Sequence, residues 1–207
     1  AGAGGTMLEF GTTDDVLESK ELAYPITELE YVTVSDGCAA VMLASEEVAG
    51  KYTDKPVWIE GMGNNNDLFY PGFRDLADTR CVKKAAERAY KMAGVTAADI
   101  DFVEVYGYSS WQELMVLEGL GFAEDGGASD ALEAGKFDPY GELPVNTSGG
   151  ALSANVWMAC GGYRVAECFR QLRGEAGGRQ VESVDKAVAH ATTGLALQSN
   201  TVAVLGR

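Results

Sequence analysis

The stretch from Leu143 to Gly177 constrains the fold of this chain most, because it joins a short apolar run to a helix through a turn of small residues. The helical half places small and apolar residues at steps of three or four along one face, namely Met158, Gly162, Val165, Phe169 and Leu172. Gly174 stands where a helix end favours a residue that tolerates positive φ. A small-residue loop at a helix N-terminus exposes backbone N–H groups, which suit an anionic ligand or an oxyanion. Close packing of the joint explains the same glycines, so both interpretations stay open.

The rest of the chain alternates predicted strands with predicted helices. The predicted helices are Thr12–Lys20, Thr79–Ala93 (capped by Thr79 and ended by Gly94) and Trp111–Leu120. The predicted strands are Pro56–Met62, Asp101–Tyr106, Lys186–His190, Thr201–Leu205 and a run within Glu30–Ser45 that ends at Ala44. The small apolar residues of that last run indicate a strand buried on both faces, with Cys38 in the core. This order favours one layered α/β domain with a mixed sheet.

Composition limits the classes of function. The 207 residues are 46% hydrophobic and 9% aromatic, which favours a globular domain. A formal net charge of −15 repels phosphate, so we expect neither nucleic acid nor anionic membrane as a partner. Four cysteines without C-x-x-C spacing and one histidine argue against a zinc site within this chain. Reduced thiols, with no signal pattern or membrane-spanning run, predict a cytoplasmic protein. The start at Ala1 indicates a processed product or part of a longer polypeptide.

The order of several motifs resembles the C-terminal half of the thiolase superfamily. The matching segments are VSDGCAAVMLAS (34–45), AADIDFVEVYGYSSWQEL (97–114), LPVNTSGG (143–150), RVAECFRQLRGEAGGRQV (164–181) and AVAH (187–190). The sterol-carrier-protein-like thiolases, with benzoylsuccinyl-CoA thiolase and steroid side-chain aldolase subunits, are the most similar group. The resemblance implies a five-stranded mixed sheet with helices on both faces, as one of two pseudo-symmetric halves. It also implies a connecting segment at residues 1–30 and a thiolase-like C-terminal domain at residues 31–207.

The sequence departs from this family at the end of the strand Asp101–Tyr106. Related thiolases carry a His-Asp-Cys-Phe-like or Asn-Glu-Ala-Phe-like motif there, whereas this chain reads Tyr106-Gly107-Tyr108-Ser109. A tyrosine hydroxyl donates a hydrogen bond or acts as a general acid, but with an ordinary pKa of about 10 it is a poor base. Tyr106 and Tyr108 are therefore candidate catalytic residues, and packing at a strand end is the alternative.

The histidine that activates the nucleophile of thiolases is also replaced. Aligning Ala159-Cys160-Gly161 with the family places Asn155 at that histidine, whereas aligning from Gly149-Gly150 places Val156 there. We prefer Asn155, which keeps the following RVAE segment in register. An asparagine can orient a thioester carbonyl but cannot take a proton from a thiol at neutral pH.

Cys160 and His190 complete the candidate set. Cys160 would have a lowered thiol pKa if it were exposed at the helix N-terminus, and the alternative is a small buried apolar residue. The Cys-x-Gly turn near the C-terminus of many thiolases is missing, since residues 190–194 read HATTG. His190 matches a histidine common in the sterol-carrier-like group, and it is the one side chain here with an unperturbed pKa near neutrality. A hydrogen-bonded structural histidine is the alternative.

The resemblance implies a subunit or half of an enzyme that acts on acyl-CoA thioesters, with coenzyme A as part of the substrate and no metal in this chain. It would make or break a C–C bond next to the thioester by thiolysis, Claisen condensation or retro-aldol cleavage. Loss of the histidine fits the retro-aldol branch, which needs no acyl-cysteine. The expected partners are an N-terminal thiolase half with the nucleophilic cysteine and coenzyme A site, a second thiolase unit, and a small zinc-finger/OB-fold protein. A non-catalytic, degenerate scaffold subunit is the alternative.

Overall fold

The computed structural model of the chain describes residues 12–207. Its strands are β1 (Glu21–Ala23), β2 (Ile26–Thr27), β3 (Trp58–Asn66), β4 (Phe102–Glu104), β5 (Lys186–Thr193) and β6 (Ser199–Gly206). Its α-helices are α1 (Thr13–Leu17), α2 (Glu46–Ala49), α3 (Arg80–Ala93), α4 (Ser110–Gly119), α5 (Ala128–Glu133), α6 (Gly150–Ser153) and α7 (Cys160–Arg173). Short 3-10 helices lie at Glu28–Glu30, Pro71–Phe73, Ala97–Asp99, Trp157–Ala159 and Gly177–Arg179.

The central sheet has four strands in the order β3-β6-β5-β4. β6 is antiparallel to both of its neighbours, and β4 is parallel to β5. The mixed α/β architecture is as predicted, but the sheet has four strands rather than five. Val145 occupies the outer edge of β4 through a single parallel bridge to Val103. Pairing ends there because Asn146, with φ 50°, turns the chain away from the extended conformation.

Helices cover both faces of the sheet because successive strand residues point to opposite sides. On one face α3 and α4 pack against Val103, Val188, Val202 and Val204. On the other, Cys168 and Leu172 of α7 pack against residues of β4, β5 and β6, namely Phe102, Ala187, Ala189 and Leu205. The core therefore has two halves separated by the sheet.

The predicted helix ends are confirmed where local chemistry determines them. Thr12 caps α1 through a capping box with Asp15. Gly94 ends α3 with φ 71°, a conformation that glycine adopts readily. Along β3, a Cβ atom at Gly61 or Gly63 would collide with the backbone of α3, so the two glycines let the helix lie directly on the strand. Residues 1–11 of the predicted connecting segment lie outside the described residues.

The strand expected within Glu30–Ser45 is a wrong prediction. Residues 36–44 form no strand in the structure, and Cys38 is exposed rather than in the core. Two isolated bridges lie at the start of the segment, Tyr31 to Ser109 and Val34 to Asn155, and Met42 further along is 89% exposed. The segment lies on the outer side of α7, where a Cβ at Gly162 would meet Ala39, and the part of the chain that is described offers it no second strand.

The predicted apolar face of α7 is confirmed only in part, since Leu172 is buried and Val165 packs half-buried against the core, but the larger members Met158 and Phe169 are exposed. Met158 lies before the helix and is 94% exposed, and Phe169 is 39% exposed. The buried face instead carries polar and charged side chains beside its cysteines and Leu172, namely Arg164, Glu167 and Gln171. Apolar spacing does not identify this face, because these polar groups are buried through mutual hydrogen bonds and ion pairs.

Candidate active site

Four of the five candidate residues meet between the end of β4 and the start of α7. Tyr106, Tyr108 and Cys160 line a cavity of about 320 Å³, and Asn155 forms hydrogen bonds to two of them from below. Residues of the β5–β6 hairpin form the opposite wall, and Trp157 and Met158 complete the lining. Larger cavities of about 760 and 600 Å³ lie near Lys136, but they contain none of the candidate residues. The chemistry therefore favours the smaller cavity.

A single amide oxygen organises the cluster. Tyr106 Oη donates to Asn155 Oδ1 at 3.0 Å, and Cys160 Sγ donates to the same oxygen at 2.9 Å. Asn155 is fully buried, and its Nδ2 has no hydrogen-bond partner among residues 12–207. Its backbone is fixed by Ser35, whose N–H donates to the Asn155 carbonyl at 2.9 Å. Neither Asn155 nor Val156, the other alignment candidate, lines the cavity directly, and Asn155 is connected to it through Tyr106 and Cys160.

Burial keeps the cluster protonated at neutral pH. Burial raises the pKa of Tyr106 well above its ordinary value, and the neighbouring Cys160 raises it further. Burial likewise raises the pKa of Tyr108 and of the Cys160 thiol. Cys160 is 5% exposed, so the condition for a lowered pKa, exposure at the helix N-terminus, is not met. These groups are therefore suited to donating protons or hydrogen bonds and not to acting as bases.

His190 does not reach the cavity. It is fully buried behind Tyr106, with Nδ1 3.5 Å from the Tyr106 backbone nitrogen and Nε2 3.0 Å from Asn200 Oδ1. Burial lowers the pKa of His190 to about 4, although the hydrogen bond to Asn200 acts in the opposite direction. The imidazole is therefore neutral at pH 7 and separated from the cavity.

A buried charged cluster adjoins this site, and the sequence analysis missed it. Arg164 Nη1 lies 3.3 Å from Glu104 Oε2, and both side chains are at most 5% exposed. The geometry is that of a charge contact, since Arg164 Nε and Nη1 make no aligned hydrogen bond to any described residue. Ser148 donates to Glu104 through its Oγ at 2.8 Å and its N–H at 3.3 Å. Burial raises the pKa of Glu104 to about 7, while Arg164 and Ser148 lower it.

Glu113 connects this charged cluster to the turn after Val145. Asn146 Nδ2 donates to Glu113 Oε1 at 3.2 Å, and Asn146 Oδ1 accepts from the Val105 N–H at 2.8 Å. Burial raises the pKa of Glu113 to about 7, against the attraction of Arg164. The signal in the sequence was a glutamate inside the apolar run FVEV and an arginine on the buried side of a helix, where charged residues need partners.

No group of three or more His, Cys, Asp or Glu side chains within residues 12–207 could hold a metal ion. None of the helices described there is both long and apolar enough to cross a bilayer.

The chain belongs to the thiolase C-terminal domain-like family, whose model matches residues 71–207. It is 36% identical over 181 residues to the acetyl-CoA acetyltransferase of Methanothermobacter thermautotrophicus, covering 86% of this chain and 47% of that protein. It is 28% identical to the benzoylsuccinyl-CoA thiolase subunit BbsB of Thauera aromatica, covering 91% of this chain and 50% of that subunit. The chain thus spans about half the length of these relatives.

A solved structure shares the fold. The structure titled Ltp2-ChsH2(DUF35) aldolase superimposes with a TM-score of 0.82 over 96% of this chain and 52% of that one, at 24% identity. The superposition agrees with the mixed sheet and its helical layers. The predicted resemblance to the C-terminal half of the thiolase superfamily is confirmed.

Proposed function

We propose that this chain is the C-terminal half of an enzyme unit that makes or breaks a C–C bond next to an acyl-CoA thioester, and that retro-aldol cleavage is its reaction. The observation that carries the proposal is the convergence of Tyr106 and Cys160 on Asn155 at the base of the cavity. All three groups are uncharged, and both donors keep their protons at neutral pH because burial raises their pKa.

Retro-aldol cleavage has the proton requirements that this cluster can meet. A base outside this cluster removes the β-hydroxyl proton of the substrate, the Cα–Cβ bond breaks, and its electron pair becomes the enolate of the shortened thioester. The enolate carbon then takes a proton, and the β-carbon leaves as a carbonyl. Tyr106 is assigned as the acid: its O–H, held by Asn155 Oδ1 at rest, turns to the enolate carbon and gives up its proton, while Cys160 stays bonded to Asn155.

Thiolysis needs different groups. It requires a nucleophilic thiolate and a base that takes the thiol proton. Within the described range, Cys160 keeps its proton and His190 is neutral and sealed from the cavity. A thiolase reaction would therefore draw both groups from outside residues 12–207.

The proposal extends to an assembly in the cytoplasm. A complementary half, in the same or a separate chain, would supply a coenzyme A site, and a second thiolase unit would complete a dimer. A small zinc-finger/OB-fold partner is also proposed. Support comes from the length of the relatives, from one relative being named a subunit, and from the two-component title of the aldolase structure.

The test is a substrate comparison with the assembled protein. A β-hydroxyacyl-CoA without free coenzyme A should yield a carbonyl compound and a shortened acyl-CoA. We expect Tyr106→Phe to lower kcat about 10²- to 10⁴-fold, as removal of a general acid does. Tyr140→Phe is the matched control, because the Tyr140 side chain is 97% exposed and does not line the cavity. Coenzyme A-dependent thiolysis without β-hydroxyacyl-CoA cleavage would contradict the proposal.

A scaffold subunit is the second candidate function. Of the candidate residues, His190 is the only one that could act as a base at neutral pH, and it lies outside the cavity. If Tyr106→Phe and Asn155→Ala both leave turnover and assembly unchanged, the chain is a scaffold and substrate wall.

A further inference from the structure

Three buried hydrogen bonds connect the end of β4 to the turn between β5 and β6. The backbone N–H of Tyr106 faces His190 Nδ1 at 3.5 Å, and His190 Nε2 lies 3.0 Å from Asn200 Oδ1. Asn200 Nδ2 donates to the carbonyl oxygen of Leu197 at 2.7 Å. His190 and Asn200 are both fully buried. The connection therefore runs from the candidate acid to the opposite wall of the cavity through protein groups alone.

The donors and acceptors of this connection assign the tautomer of His190. A backbone N–H only donates, so Nδ1 must accept and the single ring proton lies on Nε2. Nε2–H then donates to Asn200 Oδ1, which only accepts, while Asn200 Nδ2 donates to Leu197. Every donor in this connection meets an acceptor only while the imidazole is neutral.

The turn between β5 and β6 has a strained backbone that hydrogen bonds must stabilise. Ala196 and Leu197 have φ values of 48° and 54°, which non-glycine residues adopt uncommonly. Arg74 binds the carbonyl oxygens of Leu195 at 2.7 Å and Ala196 at 3.2 Å, and Asn200 binds that of Leu197. Thr193 and Ser199 flank the turn and line the cavity. Asn200 therefore binds the imidazole through its amide oxygen, and it binds the strained turn at the edge of the cavity through its amide nitrogen.

We propose that His190 and Asn200 are positioning residues, which hold Tyr106 in register with the cavity-lining turn, and that His190 exchanges no proton during the reaction. The inference rests on the proposed function only where turnover is the readout. It gives the sole histidine of this sequence a role that acid–base chemistry does not predict.

The first test uses a side chain that reproduces the bonds but cannot act as a base. In His190→Gln, Oε1 can accept from Tyr106 and Nε2 can donate to Asn200, as the neutral ring does. In the assembled enzyme we expect His190→Leu to lower kcat about 10- to 100-fold, the range found when supporting hydrogen bonds around a site are removed. His190→Gln should recover most of that loss. A His190→Gln enzyme as slow as His190→Leu would overturn the proposal.

The second test needs no substrate, so it separates failure of this inference from failure of the proposed function. ¹⁵N-histidine labelling of the chain gives the two ring-nitrogen resonances of a single imidazole, and this paired signal disappears in His190→Gln and is thereby assigned. That signal should show the neutral Nε2–H tautomer from pH 8 down to pH 5. An imidazolium or an Nδ1–H tautomer at neutral pH would overturn the proposal.

The variant Asn200→Asp tests the contact between His190 and Asn200 directly. The carboxylate would accept from the ring but leave the Leu197 carbonyl without its donor, and it would favour a charged imidazole. We expect the His190 signal to shift to the imidazolium form at pH 7. Asn64→Asp, an exposed change on β3 that contacts the Asn200 carbonyl, should leave the signal as in the parent protein. An imidazolium that forms at the same pH in Asn200→Asp as in the parent protein would contradict the assigned contact.

Discussion

Two buried clusters lie side by side at the joint of β4 and α7, and they differ in charge. Tyr106, Asn155 and Cys160 are neutral, and Tyr106 and Cys160 line the cavity. Arg164 is charged, Glu104 is ionisable with a pKa that burial raises to about 7, and both are sealed from solvent. Arg164 follows Cys160 by about one helical turn, so the two clusters are successive layers along one helix.

The difference in charge gives the two clusters different tasks. The neutral cluster serves the proposed reaction, and the charged cluster positions the neighbouring turn. Neutral donors at the cavity keep their protons available for substrate at little desolvation cost. The charged layer carries two carboxyl groups for one guanidinium and holds the turn at residues 146–150 through Asn146 and Ser148. It therefore determines geometry and pH sensitivity, and the neutral layer determines the reaction.

The largest effect is expected for Arg164→Met in the charged layer. The change leaves the Glu104 carboxyl buried without its cation, which costs about 3–5 kcal/mol of folding free energy. Urea unfolding followed by circular dichroism measures the loss. Arg207→Met is the matched control, since its ion pair with Asp185 is solvent-exposed and contributes less than about 1 kcal/mol. Equal losses in the two variants would remove the distinction between buried and exposed pairs.

Asn155→Ala should act on the neutral layer and affect catalysis more than folding. Both Tyr106 and Cys160 lose their common acceptor, and we expect kcat to fall about 10²- to 10³-fold, as for loss of one preorganised hydrogen-bonding group. Turnover with the acyl-CoA substrate and urea unfolding are measured together. A variant that loses stability without losing kcat in the folded fraction would place Asn155 in a purely structural role.

A pH dependence of stability should belong to the charged layer. The unfolded chain releases the Glu113 proton near its ordinary pKa of 4.5, whereas the folded protein holds it to about 7. Between these pH values the folded state binds more protons, so stability falls as pH rises, by about 1–3 kcal/mol. Glu113→Gln keeps an acceptor for Asn146 and should reduce this slope in urea unfolding at pH 5 to 8, while Glu104, whose pKa burial also raises to about 7, keeps the remainder. Glu87→Gln, on an exposed face of α3, should keep the parent slope.

The smallest effect is expected for Cys160→Ala. The change removes one neutral donor to Asn155 and should cost about 1 kcal/mol in folding free energy, with no new pH dependence. Cys38→Ala, at an exposed cysteine, is the control and should unfold as the parent does. A loss near that of Arg164→Met would mean that the neutral layer is as important for folding as the charged one.

The sequence predicted elements whose signals are local. Thr12 with Asp15, and Gly94 after an amphipathic run, mark helix ends through contacts within a few residues. The site depended on the family resemblance, because Tyr106 and Asn155 are 49 positions apart and no spacing rule joins them.

The predictions that are wrong in whole or in part have a common physical cause. The face of α7 was assigned from apolar spacing, but Arg164 and Glu167 are buried by charge pairing that spacing does not record. The run up to Ala44 has the composition of a buried strand, yet burial depends on what covers a segment, and residues 12–207 do not cover it. His190 likewise lies away from the cavity and is bound to Asn200 on the neighbouring strand, a contact that the sequence does not reveal.

The uncovered run from Cys38 to Leu43 also affects how the isolated chain behaves in solution. It contains no charged residue and no proline, and Met42 and Leu43 are 89% and 73% exposed. Uncharged apolar stretches with free backbone groups pair readily with copies of themselves. The colloidal stability of these 207 residues therefore depends on the repulsion from their net charge of −15, which added salt screens.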